Sequence, residues 1–237
     1  MKKWLTLIAA MLLLAAAFLA LMWKGSIQLN RPSQAEYPVR GVDVSHYQGE
    51  IDFSRLEQQG MRFAFIKATE GSSHVDSMLA QNMESVQKSS MRFGFYHFFS
   101  FDSSGKTQAE NFIANVPVLE GMLPPVIDVE FYGDYSHWRA PESEAVEEQL
   151  RMLVDALEAA YGAKPIIYCT LSAYEHYIED DFADCDLWIR SVYWQPELDW
   201  TFWQYTDKAK LDGYSGVEPC IDVNVFNGTS EDFLKYK

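Results

Sequence analysis

The sequence predicts an irregular, TIM-barrel-like (β/α) barrel of eight strands, preceded by one N-terminal transmembrane segment. Three observations lead to this prediction. Eight short apolar runs follow residue 38, helical patterns separate most of them, and the 237-residue chain opens with a long uncharged stretch. Alternating strands and helices indicate parallel strands with helices outside them. Eight such strands favour a closed barrel over an open sheet.

The N-terminal stretch has the length of a membrane span. Lys2 and Lys3 precede an uncharged run of 20 residues, 4–23, that is rich in Leu and Ala. About 20 apolar residues cross a bilayer as a helix, whereas a cleaved signal peptide usually has an apolar core of about 7–15 residues before an A-x-A-like site. The A-x-A of Ala15 and Ala17 lies inside the run. We expect residues 1–24 to be an uncleaved anchor, and a cleaved signal sequence is the open alternative.

The anchor is followed by a predicted polar linker at 25–38 and by the body of the protein at 39–237. The two N-terminal lysines favour a cytoplasmic start, which places the body outside the membrane. We therefore expect a cell-envelope protein with a periplasmic or extracellular body, which is secreted if the N-terminal segment is cleaved.

The elements of the body follow from its apolar periodicity. Strands are predicted at 39–45, 62–70, 92–100, 124–131, 164–170, 186–192, 201–207 and 220–226. Helices are predicted at 54–60, 76–89, 106–114, 142–161 and 172–177. The last three strands have little helix between them, so the barrel should be irregular. The sequence has no Gly-rich phosphate loop, which disfavours a Rossmann fold.

The body is strongly acidic. The whole chain carries a net charge of −15, and the first 34 residues hold four basic and no acidic residues, so the body has a net charge of −19. Such a surface repels phosphate backbones, and we expect no nucleic-acid partner. An acidic excess of this kind usually serves solubility.

Composition indicates a packed globular body, with 48% hydrophobic and 15% aromatic residues. The aromatic residues fit either a large core or a sugar-binding cleft lined with rings, and composition alone favours the core. Cys169, Cys185 and Cys220 form no pattern with zinc spacing. We expect neither a metal nor an organic cofactor. The cysteines are compatible with three thiols or with one disulfide and one thiol.

Four acidic residues lie in or near strand ends, where barrels of this class hold their chemistry. Asp43 comes late in the first predicted strand, Asp128 and Glu130 come late in the fourth, and Asp222 interrupts the apolar run of the last. Because the first and last strands of a closed barrel are neighbours, we expect Asp43 and Asp222 to face each other across one seam.

Asp128 and Glu130 are two residues apart, so on a strand both side chains point the same way with Cα atoms about 7 Å apart. Two carboxylates on one buried face are unfavourable unless they pair with cations or serve a reaction. Their repulsion should raise at least one pKa, as a general acid requires at neutral pH. Glycoside hydrolysis typically uses two carboxyl groups in this way. An isolated D-x-E is more often structural, but four acids at strand ends favour catalysis.

Eight motifs follow one another along the body. They are GVDVSHYQGEIDF (41–53), FAFIKATEG (63–71), FGFYHFF (93–99), PPVIDVE (124–130), IIYC (166–169), LWI (187–189), WQY (203–205) and IDVNVF (221–226). In this order and spacing, over nearly all of residues 40–227, the chain resembles glycoside hydrolase family 25, the Chalaropsis-type lysozymes or muramidases.

The resemblance implies an eight-stranded barrel with about five helices. It also implies cleavage of the β-1,4 bond between N-acetylmuramic acid and N-acetylglucosamine in peptidoglycan. Glu130 matches the general acid, and Asp128 matches the second carboxylate of the DVE motif, assisting through the substrate 2-acetamido group. Asp43 and Asp222 match the family's other two acids. All four are present.

The departures from the family pattern are modest. Arg190 follows LWI where a small residue is common, and Cys169 and Thr170 follow IIY. These positions are expected to alter a subsite and leave the four acids in place.

Six further residues are candidate substrate contacts: Lys67, His97, Tyr168, Trp188, Trp203 and Tyr205. The lysine is expected either to pair with one of the acids or to lie at the surface. The histidine is expected either to contact sugar or to be structural. The four aromatic residues are expected either to stack on sugars or to fill the core, and the core is their commoner place in strands.

We therefore expect the body to bind peptidoglycan glycan strands and the N-terminal segment to lie in the membrane. The chain is expected to be a monomer. Two rival functions stay open. A catalytically silent or regulated peptidoglycan-binding module would require the loss of one of the acids. A chitinase-like barrel hydrolase is disfavoured by the DVS and KATEG motifs.

Overall fold

Eight strands close into one barrel in the computed structural model, which describes residues 2–23 and 30–237. Met1 and residues 24–29, the latter mostly in the predicted linker, lie outside the described residues. The strands follow one another around the barrel as β1-β9-β8-β7-β6-β5-β4-β2, and pairing of β1 with β2 closes it. Their bounds are β1 Arg40–Val44, β2 Met61–Glu70, β4 Arg92–Phe98, β5 Val126–Val129, β6 Ile166–Thr170, β7 Leu187–Arg190, β8 Phe202–Ala209 and β9 Ile221–Phe226; a two-residue strand, β3 His74–Val75, pairs with β2 outside the barrel. The predicted closed barrel of eight strands is confirmed.

Helices pack around the barrel. Their bounds are α2 Phe53–Gln58, α3 Leu79–Val86, α4 Gly105–Asn115, α5 Ser143–Tyr161, α6 Leu171–Tyr177 and α7 Ser230–Lys235. The first five correspond to the five predicted from periodicity, and α7 is an additional helix at the C-terminus. The longest, α5, buries Val146, Leu150, Leu153, Val154 and Leu157. This 3–4 residue spacing gives one apolar face, which is the reason the segment forms an amphipathic helix.

One strand departs from the expected parallel arrangement. Strand β9 is antiparallel to both of its neighbours, β8 and β1, while the other neighbouring pairs of the barrel are parallel. A parallel connection needs a crossover of a dozen or more residues, usually a helix, whereas an antiparallel connection does not. Residues 210–220 contain no helix, so the chain turns back directly from β8 into β9.

Aromatic side chains fill the lower part of the barrel. Phe63, Phe65, Trp188 and Phe202 form one buried cluster inside it. The cluster also includes Phe233 of α7, whose ring lies 5.5 Å from that of Phe63. Helix α7 therefore covers the end of the barrel opposite the carboxyl ends of the parallel strands. The fit is close, because a Cβ at Gly41 would lie 2.4 Å from the Phe63 ring.

The N-terminal helix α1, Lys2–Trp23, contains an apolar stretch of 20 residues, Lys3–Met22, with mean hydropathy 2.7 and no burial against the body. Its length and composition suit a membrane span, as they would also suit a signal sequence.

Residues 30–38, the second half of the predicted linker, pack on the barrel. Asn30 Nδ2 donates to the carbonyl of Ser191 at 2.9 Å, and Arg40 Nη2 donates to the carbonyl of Pro32 at 2.6 Å. The ring of Tyr37 lies 5.5 Å from that of Trp200. Both Asn30 and Tyr37 are 7% exposed. This part of the chain is therefore an integral strap along the barrel.

Candidate active site

All four predicted acids line one cleft of about 370 Å³ at the upper end of the barrel. Asp43 and Asp128 lie late in β1 and β5, and Glu130 follows the end of β5. Asp222 is the second residue of β9. Because β9 is antiparallel, its beginning lies at the same end of the barrel as the ends of the parallel strands. The reversed strand thus brings Asp222 to the other acids.

Asp43 and Asp222 are direct register partners across the β1–β9 pair, as the closure of the barrel predicted. Gln204 Nε2 donates to Asp43 Oδ2 at 3.0 Å and to Asp222 Oδ2 at 3.2 Å. Asn224 Nδ2 donates to Asp43 Oδ2 at 2.7 Å. Buried amides therefore hold both carboxyl groups in place.

Two aromatic residues orient these amides. The Tyr168 hydroxyl donates to Gln204 Oε1 at 3.0 Å, and Trp188 Nε1 donates to Asn224 Oδ1 at 2.8 Å. An indole N–H can only donate, so it turns the amide NH₂ of Asn224 towards Asp43. Tyr168 and Trp188 thereby influence the acids from positions that are 6% and 2% exposed.

The pKa values of the four acids are all raised. Burial raises the pKa of Asp43, and hydrogen bonds from Asn224 and Gln204 oppose the rise. Burial, and then the charge of Asp43, raises the pKa of Asp222 well above its usual range. Two facing carboxyl groups in a cleft titrate as one system. This side of the site therefore retains protons at a pH where free carboxyl groups have lost them.

The second carboxyl pair follows from the two-residue spacing in β5. Burial, and then the charge of Glu130, raises the pKa of Asp128 well above its ordinary value. Burial also raises the pKa of Glu130, while the charges of Arg190 and Lys67 oppose that rise. Asp128 Oδ1 is buried without a hydrogen-bond partner among the described residues. A buried oxygen without a hydrogen bond lowers the stability of the fold unless a ligand supplies the missing donor.

Lys67 and Arg190 lie near the acids, and each has its own acidic partner. Lys67 Nζ bonds Glu70 Oε2 at 2.7 Å and lies 4.9 Å from the centroid of the Phe98 ring. Lys67 thus pairs with an acid other than the four predicted ones, at the cleft wall. Arg190 Nη2 bonds Asp207 Oδ2 at 2.8 Å.

Three of the six candidate substrate contacts line the cleft, namely Lys67, Tyr168 and Trp188. The other three, His97, Trp203 and Tyr205, do not. The His97 ring is fully buried, with Nδ1 at 2.7 Å from Thr69 Oγ1 and Nε2 at 3.0 Å from Gln108 Oε1.

The two remaining aromatic residues belong to the packing of the strap. Trp203 is 1% exposed and donates to the carbonyl of Ser191 at 2.9 Å. Tyr205 is 7% exposed, and its ring lies 5.8 Å from the guanidinium of Arg40. His97, Trp203 and Tyr205 are therefore buried side chains outside the lining of this cleft. This placement agrees with the structural alternative left open for each of them.

Sequence reasoning missed several residues of the site. Gln204 and Asn224 are 1% and 0% exposed and hold the acids; a polar residue inside an apolar strand was the available signal. Tyr96, Phe98 and the exposed Tyr47 also line the cleft.

The three cysteines are free thiols, which decides between the two states left open by the sequence. Cys220 lies in the cleft wall, and Cys169 is buried. Within residues 2–23 and 30–237, no group of three or more His, Cys, Asp or Glu side chains is arranged to hold a metal ion.

A family model, a solved structure and two curated relatives were found to be similar to this chain. The model of glycosyl hydrolases family 25 matches residues 42–214. A solved family 25 glycosyl hydrolase from Bacillus anthracis has 51% sequence identity and a TM-score of 0.82, covering 87% of this chain and 97% of that chain. Lysozyme M1 from Streptomyces globisporus is 31% identical over 215 residues, which are 83% of this chain and 70% of that protein. Uncharacterized protein YegX from Escherichia coli strain K12 is 34% identical over 211 residues, 85% of this chain and 74% of that protein.

The matched region begins within β1, extends past the end of β8 and contains three of the four acids. The similarity to the solved structure extends over 87% of this chain. Lysozymes and muramidases of this family are glycosidases that hydrolyse peptidoglycan. The chain therefore belongs to glycosyl hydrolases family 25 and is a glycosidase.

Proposed function

We propose that this protein is an N-acetylmuramidase that cleaves the β-1,4 bond between N-acetylmuramic acid and N-acetylglucosamine in peptidoglycan, acting as a monomer. The observation that carries the proposal is the set of four acids in one cleft, all with raised pKa values. A general acid must hold its proton near neutral pH, and this cleft favours the protonated form.

Glu130 is the proposed general acid and base. In the first step its carboxyl proton goes to the glycosidic oxygen as the bond from that oxygen to the anomeric carbon breaks. The acetamido oxygen of the same sugar forms a bond to the anomeric carbon from the opposite face. In the second step Glu130 takes a proton from water, the water oxygen bonds the anomeric carbon, and the acetamido group is released. Hydrolases assisted by their substrate in this way are recognised exceptions to the two-carboxylate scheme.

Asp128 is the proposed partner of the acetamido group. Its buried Oδ1 is unpaired, so an amide N–H of the substrate would complete it. Orienting that amide and stabilising the positive ring intermediate both require a carboxyl group beside the anomeric carbon. A direct nucleophilic role for Asp128, or an inverting reaction, is the alternative mechanism.

Asp43 and Asp222 are proposed to hold the charge and hydrogen bonds of the site. Their contacts support this role, since each accepts a hydrogen bond from Gln204. They act on the reaction through the field that they impose on Glu130 and Asp128.

The first experiment is digestion of purified peptidoglycan by the full-length protein in detergent, with mass spectrometry of borohydride-reduced fragments. We expect muropeptides with a reducible muramic acid end, and a loss of about 10²–10⁴-fold or more in rate for Glu130→Gln. Glu148→Gln, an exposed change on α5, is the matched control. Intact glycan with the folded protein bound to the wall would instead indicate a binding module. Release of sugars from chitin would indicate a different hydrolase.

The anomeric form of the first product tests the mechanism. Attack by the acetamido group returns the original β-configuration, which NMR detects before mutarotation. An α-anomer formed first would exclude the acetamido route and leave the inverting alternative.

We further propose that α1 is an uncleaved membrane anchor that holds the barrel outside the cytoplasm. Since the strap begins at Asn30, residues 24–29 alone join the anchor to the barrel. At no more than about 3.6 Å per residue they span at most about 25 Å. Asn30 is bonded to Ser191, which follows the last residue of β7 beside the cleft. This arrangement favours cleavage of glycan close to the membrane.

Membrane fractionation tests the anchor. The full-length protein should stay with the membrane after carbonate washing and retain its N-terminus by mass spectrometry. A mature protein that begins after residue 17 and is released as a soluble form would establish the cleaved signal sequence instead.

A further inference from the structure

Arg190 is the last residue of β7 and points into the barrel. It is in register with Thr170 of β6 and with Gln204 of β8. Trp188, two residues earlier, lines the cleft, and residues two apart on a strand share a face. The guanidinium therefore belongs to the cleft side of β7, and its side chain is 34% exposed.

Glu130 and Arg190 lie on opposite sides of Thr170. Val129 is in register with Cys169, so the next residue, Glu130, is level with Thr170 and thus with Arg190. Strands β5 and β7 are two strand spacings apart, about 10 Å. The residue between them is small, and its hydroxyl caps α6 by accepting from Ala173 N–H at 3.3 Å. A long arginine and a glutamate that both point inward can approach each other over that gap.

Asp207, a residue of β8, forms an ion pair with the guanidinium of Arg190. Its Oδ2 lies 2.8 Å from Arg190 Nη2, it is itself 29% exposed, and it lines the cleft. The charged or titratable groups that face Arg190 are thus Asp207 from β8, Tyr168 from β6, Glu130 following β5, Asp222 from β9 and Asp43 from β1. Its positive charge opposes the rise in pKa of Glu130, Asp43 and Asp222.

We propose that Arg190 is a positioning residue for glycoside hydrolysis, which orients the Glu130 carboxyl group from across Thr170 and, with Asp207 as its counter-ion, sets the pH range in which the enzyme works. This inference rests on the proposed muramidase function. Lys67 cannot substitute for Arg190, because its ammonium is bonded to Glu70 and packed over Phe98 on the opposite side of the cleft.

The test is the pH profile of kcat/KM on purified peptidoglycan for four full-length variants in detergent. Arg190→Met removes the positive charge, so both limbs of the profile should move to higher pH, by about one unit for a charge at this range. Asp207→Asn keeps the size of the side chain and removes the opposing negative charge, so the limbs should move to lower pH. Arg190→Lys retains the charge without the planar fork, and we expect a profile near that of the wild type with a lower kcat.

Arg55→Met is the matched control, since Arg55 also pairs with an aspartate, Asp212, but at the exposed surface and at 3.5 Å. Its profile should not move. Opposite shifts for Arg190→Met and Asp207→Asn cannot come from loss of a structural ion pair, because both substitutions break the same bridge. Shifts in the same direction, or an Arg55→Met shift as large as that of Arg190→Met, would overturn the inference.

Folding is checked for each variant by near-UV circular dichroism. If Arg190→Met does not fold, the inference is decided by a shift to lower pH in Asp207→Asn together with an unmoved pH profile and a lower kcat in Arg190→Lys. A wild-type enzyme that releases no muropeptide at any pH would refute the proposed function itself. A fully active wild type with unmoved profiles in the variants would refute only the role of Arg190.

Discussion

Asp43 and Asp222 face each other as register partners on β1 and β9, and a single amide nitrogen, Nε2 of Gln204, donates to both carboxyl groups at 3.0 and 3.2 Å. Like charges directly opposite each other in a sheet are unfavourable. The shared donor offsets part of that repulsion, and retained protons offset the rest, since both pKa values are raised. The pair therefore couples the stability of the barrel to the protonation of the candidate active site.

Replacing the shared donor should cost stability in a pH-dependent way. Gln204→Leu removes the amide donor that Asp43 and Asp222 share and leaves Asp43 with the hydrogen bond from Asn224 alone. We therefore expect the free energy of unfolding at pH 7 to fall by about 2–3 kcal/mol. The loss should be smaller at pH 5, where more of the carboxyl groups are neutral. Urea unfolding at the two pH values measures this loss of stability. The control is Gln87→Leu, a substitution at the exposed residue that directly follows α3. An equal loss at both pH values would argue against the charge of the pair as the cause.

Asp128→Asn should abolish activity and reduce the loss of thermal stability that occurs as pH rises. Because the pKa of Asp128 is raised on folding, its contribution to stability is fully present below about pH 4, the unfolded value, and is lost as pH rises through the folded value. The wild type should therefore lose thermal stability from pH 4 towards pH 8 more steeply than the Asn variant. Melting temperatures across this range measure the difference. The exposed Asp155→Asn should follow the wild-type curve, and a steeper curve for Asp128→Asn would contradict burial of the Asp128 charge as the cause.

His97 should act on stability and leave the reaction unchanged. Burial lowers its pKa from 6.5 to about 4. Its neutral form is therefore favoured in the fold, and the stability that it contributes is present above about pH 6.5 and is lost as pH falls towards 4. His97→Phe removes the ring partner of the Thr69 hydroxyl and one of the hydrogen bonds of Gln108 Oε1, which still accepts from Ser100 N–H. We expect a loss of about 1–3 kcal/mol at pH 7. Peptidoglycan hydrolysis per folded molecule should be retained, and a large rise in KM would instead indicate a sugar contact.

The strap should be required for a stable barrel. Tyr37 is 7% exposed, packs on Trp200 and Trp203, and accepts a hydrogen bond from Gln195 Nε2 at 3.0 Å. Tyr37→Ala should lower the free energy of unfolding by about 3 kcal/mol, in the range of buried aromatic truncations. Tyr193→Ala, in the neighbouring loop and 55% exposed in the wild type, is the control. Equal effects of the two substitutions would show that residues 30–38 are a tether without a structural role.

Much of this architecture was predictable from local patterns. The eight strands and five of the helices followed from apolar periodicity, and the facing of Asp43 and Asp222 followed from closure of a barrel. Helix α7, Ser230–Lys235, was not among the predicted helices. Sugar contact and a core position both stayed open for His97, Trp203 and Tyr205, because residue type does not say which face of a strand is turned to the cleft.

Composition, local periodicity and motif order were enough to establish the barrel, the acidic body, the family resemblance and the two-residue spacing that aligns Asp128 with Glu130. Tertiary structure alone decided that β9 runs antiparallel and so brings Asp222 to the cleft. It also decided that Gln204 is shared by two acids, that Lys67 pairs with Glu70 while Arg190 pairs with Asp207, and that residues 30–38 pack on the barrel. These outcomes depend on contacts between segments far apart in the chain, whose geometry exists only when the barrel closes.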